Sequence, residues 1–245
     1  MIKITALIIT YNEAENIGVC IDSVRPVADE ILVIDSFSTD TTTPIAEAKG
    51  ATVICKSFAG FGQQKNEGAA QAAYDYILSI DADERLSKEL IDSMLRIKAE
   101  KMLAPAYSFN RLNHLAAQPI RVCGWYPDIS TRLYHRKSTQ WTAAAVHEQL
   151  VVNGTTEWIE GDLLHYSFDD FISIRDKFER YSRLAAVAYK ADGQAVNIVK
   201  AFISPLFKFA KAYLLQRGFT AGYTGFRISY EQARGSFLKY YWAIR

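Results

Sequence analysis

The first hundred residues alternate short apolar runs with segments in which apolar residues recur every three or four positions. The runs at 4–9, 30–34, 51–55 and 76–80 are typical of parallel strands that are covered on both faces. The segments 12–24, 42–49 and 63–74 have helical periodicity. This alternation predicts right-handed crossovers and an α/β fold with an open, mostly parallel central sheet flanked by helices.

The pattern changes in the second half of the chain. Shorter β-like pieces at 106–111, 131–135 and 161–166 are separated by turn-rich stretches, which indicates the mixed part of the sheet. From residue 169 onward the pattern is typical of helices. We therefore predict one α/β domain over 1–168, followed by a helical C-terminal extension over 169–245.

Polar residues directly follow three of the predicted strands. They are Thr10, Tyr11 and Glu13 after the first strand, Asp35 after the second, and Asp81 and Asp83 after the fourth. In open α/β sheets, ligands bind at the carboxyl ends of the strands. The sequence therefore predicts a ligand site at this edge.

Asp81 and Asp83 are two carboxylates with one residue between them. Such a pair can hold Mg²⁺ or Mn²⁺ and leave positions open for diphosphate oxygens, so that the ion stabilises a leaving diphosphate. One alternative is a simple cap of the next helix, with Glu84 and Ser87 nearby. Another is a strand-end aspartate phosphatase, although its Asp-x-Asp pattern usually lies in the first strand.

Asp35 can accept a hydrogen bond from a base N–H or a ribose hydroxyl, and its structural alternative is a turn residue that bonds its own backbone. Asp40 is better explained as the cap of the following helix. No Gly-x-Gly-x-x-Gly or Gly-Lys-Ser/Thr loop follows the early strands. A dinucleotide cofactor is therefore not expected.

Four segments in order and spacing resemble glycosyltransferase family 2: TYNE (10–13), VIDSFSTD (33–40), QKNEG (64–68) and ILSIDADE (77–84). Later segments are similar to its lipopolysaccharide core β-glucosyltransferase branch: YPD (126–128), TRLY (131–134), Trp141, VHE (146–148) and LHY (164–166). The resemblance implies a GT-A nucleotide-diphospho-sugar transferase fold. The nucleotide-binding half would cover about 1–103 and the acceptor half about 104–168.

The resemblance also implies roles for the residues at the sheet edge. The donor nucleotide would be bound by Thr10, Tyr11, Glu13, Asp35 and Lys65. Its diphosphate would be bound by Asp81 and Asp83 through a divalent metal, Mg²⁺ or Mn²⁺. Ser36 stands where many members have a second Asp that contacts uracil; a serine can still form a hydrogen bond, and the resemblance leaves the identity of the base open.

Four residues of the acceptor half complete the predicted site. Glu148 follows Asp83 by 65 residues, where the family places its catalytic carboxylate, and would act as the general base of an inverting transfer. His165 would bind the metal or diphosphate, with a hydrogen-bonded core histidine as the alternative. Arg132 and Trp125 would line the acceptor side, although a buried structural role is the commoner one for a Trp.

The net charge of +1 hides an asymmetry. The stretch 171–245 contains 13 Lys/Arg against 4 Asp/Glu, whereas the rest of the chain carries 15 basic and 23 acidic residues. Twelve aromatic residues also lie in 201–245. This composition favours a basic amphipathic helix on an anionic membrane surface, and the alternative is a helix packed on the protein or on a second copy. No nucleic-acid-binding module is present, so nucleic acid is not an expected partner.

The three cysteines are scattered and odd in number, which favours a reducing compartment. The N-terminus has no basic region followed by a separate apolar stretch, so a signal peptide is not expected. We therefore expect a cytoplasmic protein, peripheral on the cytoplasmic face of the inner membrane. Its donor would be a UDP-sugar and its acceptor a saccharide or a lipid-linked saccharide. A catalytically silent protein with the same fold, which binds a sugar nucleotide or a membrane surface, is the alternative from another class.

Overall fold

The computed structural model describes residues 2–100, 104–142, 148–191 and 198–244. Its main strands are β1 (Ile4–Thr10), β2 (Glu30–Asp35), β3 (Thr52–Cys55), β4 (Tyr76–Asp81), β5 (Glu84–Leu86), β6 (Ala106–Leu115), β7 (Gln118–Pro119), β8 (Ile129–His135), β9 (Thr139–Trp141), β10 (Leu150–Val152) and β11 (Thr156–Phe168). Its α-helices are α1 (Ile17–Val24), α2 (Thr42–Ala48), α3 (Phe61–Gln71), α4 (Lys88–Glu100), α5 (Phe171–Ala191), α6 (Ile198–Ala210) and α7 (Gly222–Ile244).

The central sheet has the strand order β3-β2-β1-β4-β8-β6-β11-β5, with β7 paired to β6. The first four strands of this order are parallel, as the apolar runs predict. The pairs β4–β8, β8–β6 and β11–β5 are antiparallel. All seven residues of β1 are buried because the strand lies inside the sheet and is covered on both faces. The predicted α/β fold is thus confirmed.

Two predicted helices have different ends in the structure. The helix predicted from residue 12 begins at Ile17, because Asn12 has a φ of +53° and its hydrogen bonds go to another loop. The helix predicted over 63–74 runs from Phe61 to Gln71, and Ala72 is extended. A guanidinium nitrogen of Arg136 donates hydrogen bonds to the carbonyl groups of Ala69 and Ala72 at this end of the helix, at 2.9 and 2.8 Å.

Helix α3 packs closely on the sheet because it carries a glycine at the contact. A Cβ at Gly68 would lie 2.4 Å from a methyl carbon of Leu7 on β1 and 2.9 Å from a side-chain carbon of Ile34 on β2. No larger residue fits without moving the helix. This close packing fixes the position of Lys65, one turn earlier on the same helix.

The chain divides into two compact units. The first comprises Met1–Arg111 and Asp128–His165, and the second comprises Leu112–Pro127 and Tyr166–Arg245. The predicted extension 169–245 lies within the second unit, which also takes in the segment between β6 and β8. The boundary at 168 between a catalytic domain and an extension stays a prediction.

Helices α5 and α6 both pack on α7 in the second unit. An ion-pair network links α5 and α7, in which Arg234 contacts Glu179 at 2.7 Å and the buried Glu231 at 3.3 Å. Among the described residues, no helix is both long enough and apolar enough to cross a bilayer. The cysteines Cys20, Cys55 and Cys123 are all free thiols.

Candidate active site

The carboxyl ends of three parallel strands bring predicted site residues together. Thr10 is paired with Asp35 across β1 and β2, and Ile9 is paired with Asp81 across β1 and β4. Because these strands run in the same direction, their polar residues emerge at one edge. The structure therefore assembles Thr10, Asp35 and Asp81 at the edge at which the sequence predicts a ligand site.

The loops that follow β1 and β2 are joined by hydrogen bonds. The N–H of Asn12 donates to Oγ of Ser38 at 2.8 Å, and the N–H of Thr39 donates to the side-chain oxygen of Asn12 at 2.8 Å. The side chain of Tyr11 is exposed at this edge. The two loops therefore form one connected rim beside the strand ends.

Asp35 and Glu13 have structural partners within this rim. Asp35 is fully buried and accepts hydrogen bonds from the N–H of Ser38 at 2.7 Å and from its hydroxyl at 2.5 Å. These are the bonds of the turn residue that we considered as the structural alternative. Glu13 accepts a hydrogen bond from the side-chain amide of Asn16, and its N–H donates to Thr42.

The side chains of Asp40 and Ser87 accept hydrogen bonds from backbone N–H groups at the starts of two helices. Asp40 accepts from the N–H of Thr42, the first residue of α2, at 2.9 Å, although Thr41 holds the cap position itself. Oγ of Ser87 accepts from the N–H of Leu90 at 3.2 Å at the start of α4. Since Ser87 caps α4, Asp81 and Asp83 are left for another role.

Lys65 lies at the centre of the site. Its side chain is only 2% exposed, and its Nζ lies 3.1 Å from Oε1 of Glu148 and 3.5 Å from Oδ1 of Asp81. The same ammonium lies 4.6 Å from the ring centroid of Trp141, a cation–π contact. One buried cation thus connects the predicted base to the first aspartate of the Asp-x-Asp segment.

Trp141 is itself held in place by α3 and β8. Asn66 exchanges two hydrogen bonds with the backbone of Trp141, at 2.8 and 3.0 Å, and the indole N–H donates to the hydroxyl of Tyr134 at 2.9 Å. Burial raises the pKa of Tyr134 to about 12. The ring against which Lys65 packs is therefore rigidly positioned.

Arg132 forms a second buried cation in the same cluster. Its Nη2 lies 3.0 Å from Oε1 of Glu84 and 3.3 Å from Oδ2 of Asp81. Oε2 of Glu84 accepts the N–H of Asp81 at 2.8 Å. We predicted Arg132 as an acceptor-side residue, and the structure places its guanidinium against these two carboxylates. That acceptor role stays a prediction.

The charges in this cluster shift two carboxyl groups in opposite directions. Burial alone would raise the pKa of Asp81, but Lys65, Arg132 and His165 outweigh it and hold that pKa well below its usual value of 3.8. Burial raises the pKa of Glu84 above its usual 4.5, which Arg132 opposes and the charge of Asp81 reinforces. The cluster therefore favours an ionised Asp81.

Asp83 faces a different partner from Asp81. Its Oδ2 lies 3.3 Å from Nε2 of His165 on β11. Two atoms that each bind one ion at about 2.1 Å, at a right angle, lie about 3.0 Å apart, so this pair fits two ligand positions of a divalent metal. The described part of the chain contains no group of three or more His, Cys, Asp or Glu that could hold an ion.

Glu84 and Trp141 belong to this site, but the sequence assigns them no role in it. Glu84 is fully buried. Its position directly after the Asp-x-Asp segment, as a third carboxylate, is the feature of the sequence that could have indicated its part in the site. Trp125, predicted on the acceptor side, lies in the second unit, where its ring packs 5.2 Å from that of Phe168. The motif residues 146–147 lie outside the described residues.

Asp81 and Asp83 thus lie at the carboxyl edge of the parallel strands, where the buried Lys65 of α3 contacts Asp81 and a further carboxylate, Glu148. The family model "Glycosyl transferase family 2" matches residues 5–146 of the chain, which is more than half of it. The chain therefore belongs to glycosyltransferase family 2. The resemblance stated from the sequence motifs is confirmed.

Similar proteins carry the same family name. An uncharacterized glycosyltransferase of Rickettsia felis is 34% identical over 253 residues, which cover 98% of this chain and 88% of the relative. The lipopolysaccharide core biosynthesis glycosyltransferase LpsC of Rhizobium meliloti is 27% identical over 92% of this chain and 86% of the relative. A crystal structure of glucosyl-3-phosphoglycerate synthase from Mycobacterium tuberculosis is 24% identical over 46% of this chain and 44% of that chain, with a TM-score of 0.37. The family assignment rests on the family model and the sequence relatives.

Proposed function

We propose that this protein is an inverting glycosyltransferase that moves a hexose, with glucose from UDP-glucose as the expected donor, onto a hydroxyl of a saccharide. The observation that carries the proposal is the pair of contacts from Lys65 to Asp81 and to Glu148, next to the Asp83–His165 pair. A carboxylate beside a diphosphate site is what a single displacement at an anomeric carbon requires.

The donor nucleotide would lie on the rim formed by the loops after β1 and β2. Tyr11 offers an exposed ring to the base, and Thr10 ends β1 with a buried hydroxyl that has no hydrogen-bond partner among the described residues. Glu13, Asp35 and Lys65 complete the expected donor site. Because the carboxylate of Asp35 is used by Ser38, we propose that Asp35 shapes the turn that holds the nucleotide.

Asp83 and His165 are the residues that would hold a divalent metal, and the 3.3 Å between their side-chain atoms supports this proposal. Asp81 is the third predicted ligand, and its carboxylate is paired with Lys65 and Arg132. A bound Mg²⁺ or Mn²⁺ would supply charge neutralisation for the departing diphosphate. Lys65 and Arg132 add two positive charges on the same side of the site.

Glu148 would take the proton of the acceptor hydroxyl as its oxygen attacks the anomeric carbon. Its contact with Lys65 at 3.1 Å fixes the carboxylate without covering it, since 19% of its side chain stays exposed. A general base must reach the acceptor while its own position is held. The contact with Lys65 and the exposed part of the Glu148 side chain support this role.

We further propose a lipid-linked saccharide, lipopolysaccharide inner core or a related glycolipid, as the acceptor. The relative LpsC, named for lipopolysaccharide core biosynthesis, supports this class. Such an acceptor lies at a membrane, and the basic C-terminal part would bring the enzyme to the cytoplasmic face of the inner membrane. The family assignment leaves the aspartate phosphatase alternative without support.

The first test is calorimetric titration with a panel of nucleoside diphosphates, with and without Mn²⁺, followed by a turnover assay with the matching nucleotide sugar. We expect Asp83→Asn to abolish the metal-dependent part of the binding. Glu148→Gln should retain binding and lose at least about a hundredfold in kcat, the usual contribution of a general base. Glu160→Gln, an exposed glutamate on β11, is the matched control and should leave both measurements unchanged.

Two results would contradict the proposal. Binding of a sugar nucleotide without any turnover, in wild type and variants alike, would favour the catalytically silent protein. Full turnover by Glu148→Gln would remove Glu148 as the base, and metal-dependent binding that survives Asp83→Asn would remove Asp83 as a metal ligand.

A further inference from the structure

Helix α6 presents a large apolar surface that the described residues of the second unit leave uncovered. One side of the helix packs on α7, where Ala201 is 4% exposed and the hydroxyl of Ser204 lies 3.1 Å from that of Ser236. The α6 ridge on the other side consists of residues that are 58–71% exposed: Val199, Phe202, Ile203, Leu206 and Phe207.

The spacing of these residues makes the α6 ridge continuous. Side chains three and four positions apart lie on one side of a helix, so the five residues share a face. Large apolar side chains with this exposure present about 500 Å² in total, near the upper limit for a single patch on a soluble monomer. Leu214 and Leu215, in the segment that follows α6, are also exposed apolar residues, at 59% and 75%.

The charged residues of the segment that carries the α6 ridge have a single sign. Residues 198–221 contain four basic side chains and no acidic one: Lys200, Lys208, Lys211 and Arg217. Lys200, Lys208 and Lys211 are exposed. Lysine stems can lie along apolar surface while their ammonium groups reach outward to anions.

The α6 ridge and the basic side chains of its segment together fit an anionic lipid surface better than a second copy of the chain. A second copy of the chain would bring the same cations against each other, which costs association energy. An anionic lipid surface offers both an apolar interior for the α6 ridge and phosphates for the lysines.

We propose that α6 is the element that docks this protein on anionic bilayers, with the α6 ridge at the boundary of headgroups and acyl chains. The lysines of α6 and of the following turn contact lipid phosphates. The inference deepens the membrane location given under the proposed function by naming the surface and the lipid class. It depends on that function only for the lipid-linked nature of the acceptor.

The test is flotation of the full chain with vesicles of phosphatidylcholine, with or without 30% phosphatidylglycerol, a composition chosen at roughly the charge of a bacterial membrane surface. We expect binding only to the anionic vesicles. The double variant Leu206→Asp/Phe207→Asp should lose at least about tenfold in vesicle affinity, because two large side chains would no longer be buried in the lipid. Its control is Ile129→Asp, since Ile129 is 66% exposed on β8 in the first unit.

The electrostatic half of the inference has its own variant. Each lysine near an anionic surface contributes about 1 kcal/mol, which is about fivefold in affinity, so Lys200→Gln/Lys208→Gln should lose about 25-fold. Lys137→Gln, at an exposed lysine of the first unit, should bind as wild type does. Circular dichroism and the nucleotide titration should be unchanged in every variant.

Equal binding to neutral and anionic vesicles, or unchanged binding by Leu206→Asp/Phe207→Asp, would overturn the inference. A dimer in size-exclusion chromatography that this double variant dissociates would assign the α6 ridge to a second copy instead. A failure of nucleotide binding would contradict the proposed function and leave the vesicle result intact, so the two failures are distinguishable.

Discussion

Replacing Lys65 with Met tests the central contact of the candidate site. Met keeps most of the side-chain volume and its contact with Trp141, but removes the charge. Glu148 and Asp81 would then lose a common cation that lies 3.1 and 3.5 Å from their oxygens. The variant therefore isolates the electrostatic contribution of one buried ammonium.

The expected cost follows from the geometry. At an effective dielectric constant of about 20, charges 3.1 Å apart attract by about 5 kcal/mol, an upper bound before desolvation is subtracted. Removing one member of a buried pair typically costs about 3–5 kcal/mol. Glu148 and Asp81 keep 19% and 31% of their side chains exposed, so water compensates in part and we expect about 3 kcal/mol. For a chain of this size that corresponds to a fall in Tm of about 9 °C.

The assay is thermal unfolding at pH 7, followed by circular dichroism, with Lys56→Met as the matched control. Lys56 forms an ion pair with Glu67 at 3.0 Å, but both side chains are about one third exposed, at 32% and 36%. Such a pair contributes less than about 1 kcal/mol. Lys65→Met should also lose donor binding and turnover, whereas Lys56→Met should keep both.

Equal shifts in Tm for the two lysine variants would refute the reasoning, because burial would then make no difference to the ion pair. A double variant sharpens the test. Adding Glu148→Gln to Lys65→Met removes the charge of Glu148 that the first substitution leaves uncompensated. The double variant should therefore lose about 1–2 kcal/mol less stability than the sum of the losses of the two single variants. Strict additivity would mean that Lys65 and Glu148 do not interact in solution.

Two further predictions concern the first unit. Burial would raise the pKa of Asp29, but the hydrogen bonds from Lys98 at 2.7 Å and from the N–H of Ile4, together with the charges of Lys98 and Lys3, outweigh it and hold this pKa below 3.8. The stabilisation is therefore present above that value and lost as the pH falls through the folded-state pKa. Asp29→Asn should lower the free energy of unfolding by about 1 kcal/mol at pH 7 and by less at pH 3, measured in urea; an equal loss at both pH values would contradict this. Gly161 has a φ of +116°, and a Cβ there would lie 2.3 Å from the backbone nitrogen of Leu90, whereas Gly50 has a φ of +75° and open space around it. Gly161→Ala should therefore cost at least about 2 kcal/mol more than Gly50→Ala in the same urea assay, and equal costs would refute the steric argument.

The sheet and the position of the site could be predicted from short stretches of sequence. The run 4–9 is apolar at nearly every position, and it forms a strand buried on both faces. Thr10, Asp35 and Asp81 each follow such a run, and parallel strands bring their carboxyl ends to one edge whatever the packing elsewhere. These predictions needed only local patterns and one rule of topology.

The start of α1 shows where local patterns fail. Residues 12–16 continue the helical periodicity, but Asn12 bonds to Ser38 and Thr39 in the next strand loop, and its positive φ prevents a helix from starting there. Nothing in the immediate sequence specifies those partners. The contact between Asn12 and Ser38, which are 26 positions apart in the sequence, therefore overrides the local helical preference of the segment.

The sequence by itself determined the family, the parallel half of the sheet and the edge that carries the candidate chemistry, because periodicity and strand-end residues act over a few positions. Tertiary structure alone decided the partners of the charged groups. It brought Lys65 to Glu148, 83 residues later, and closed the fully buried Glu84 against Arg132. The physical reason is that the ionisation and orientation of a buried charge depend on every group within a few ångströms, and those groups meet only when the chain has folded.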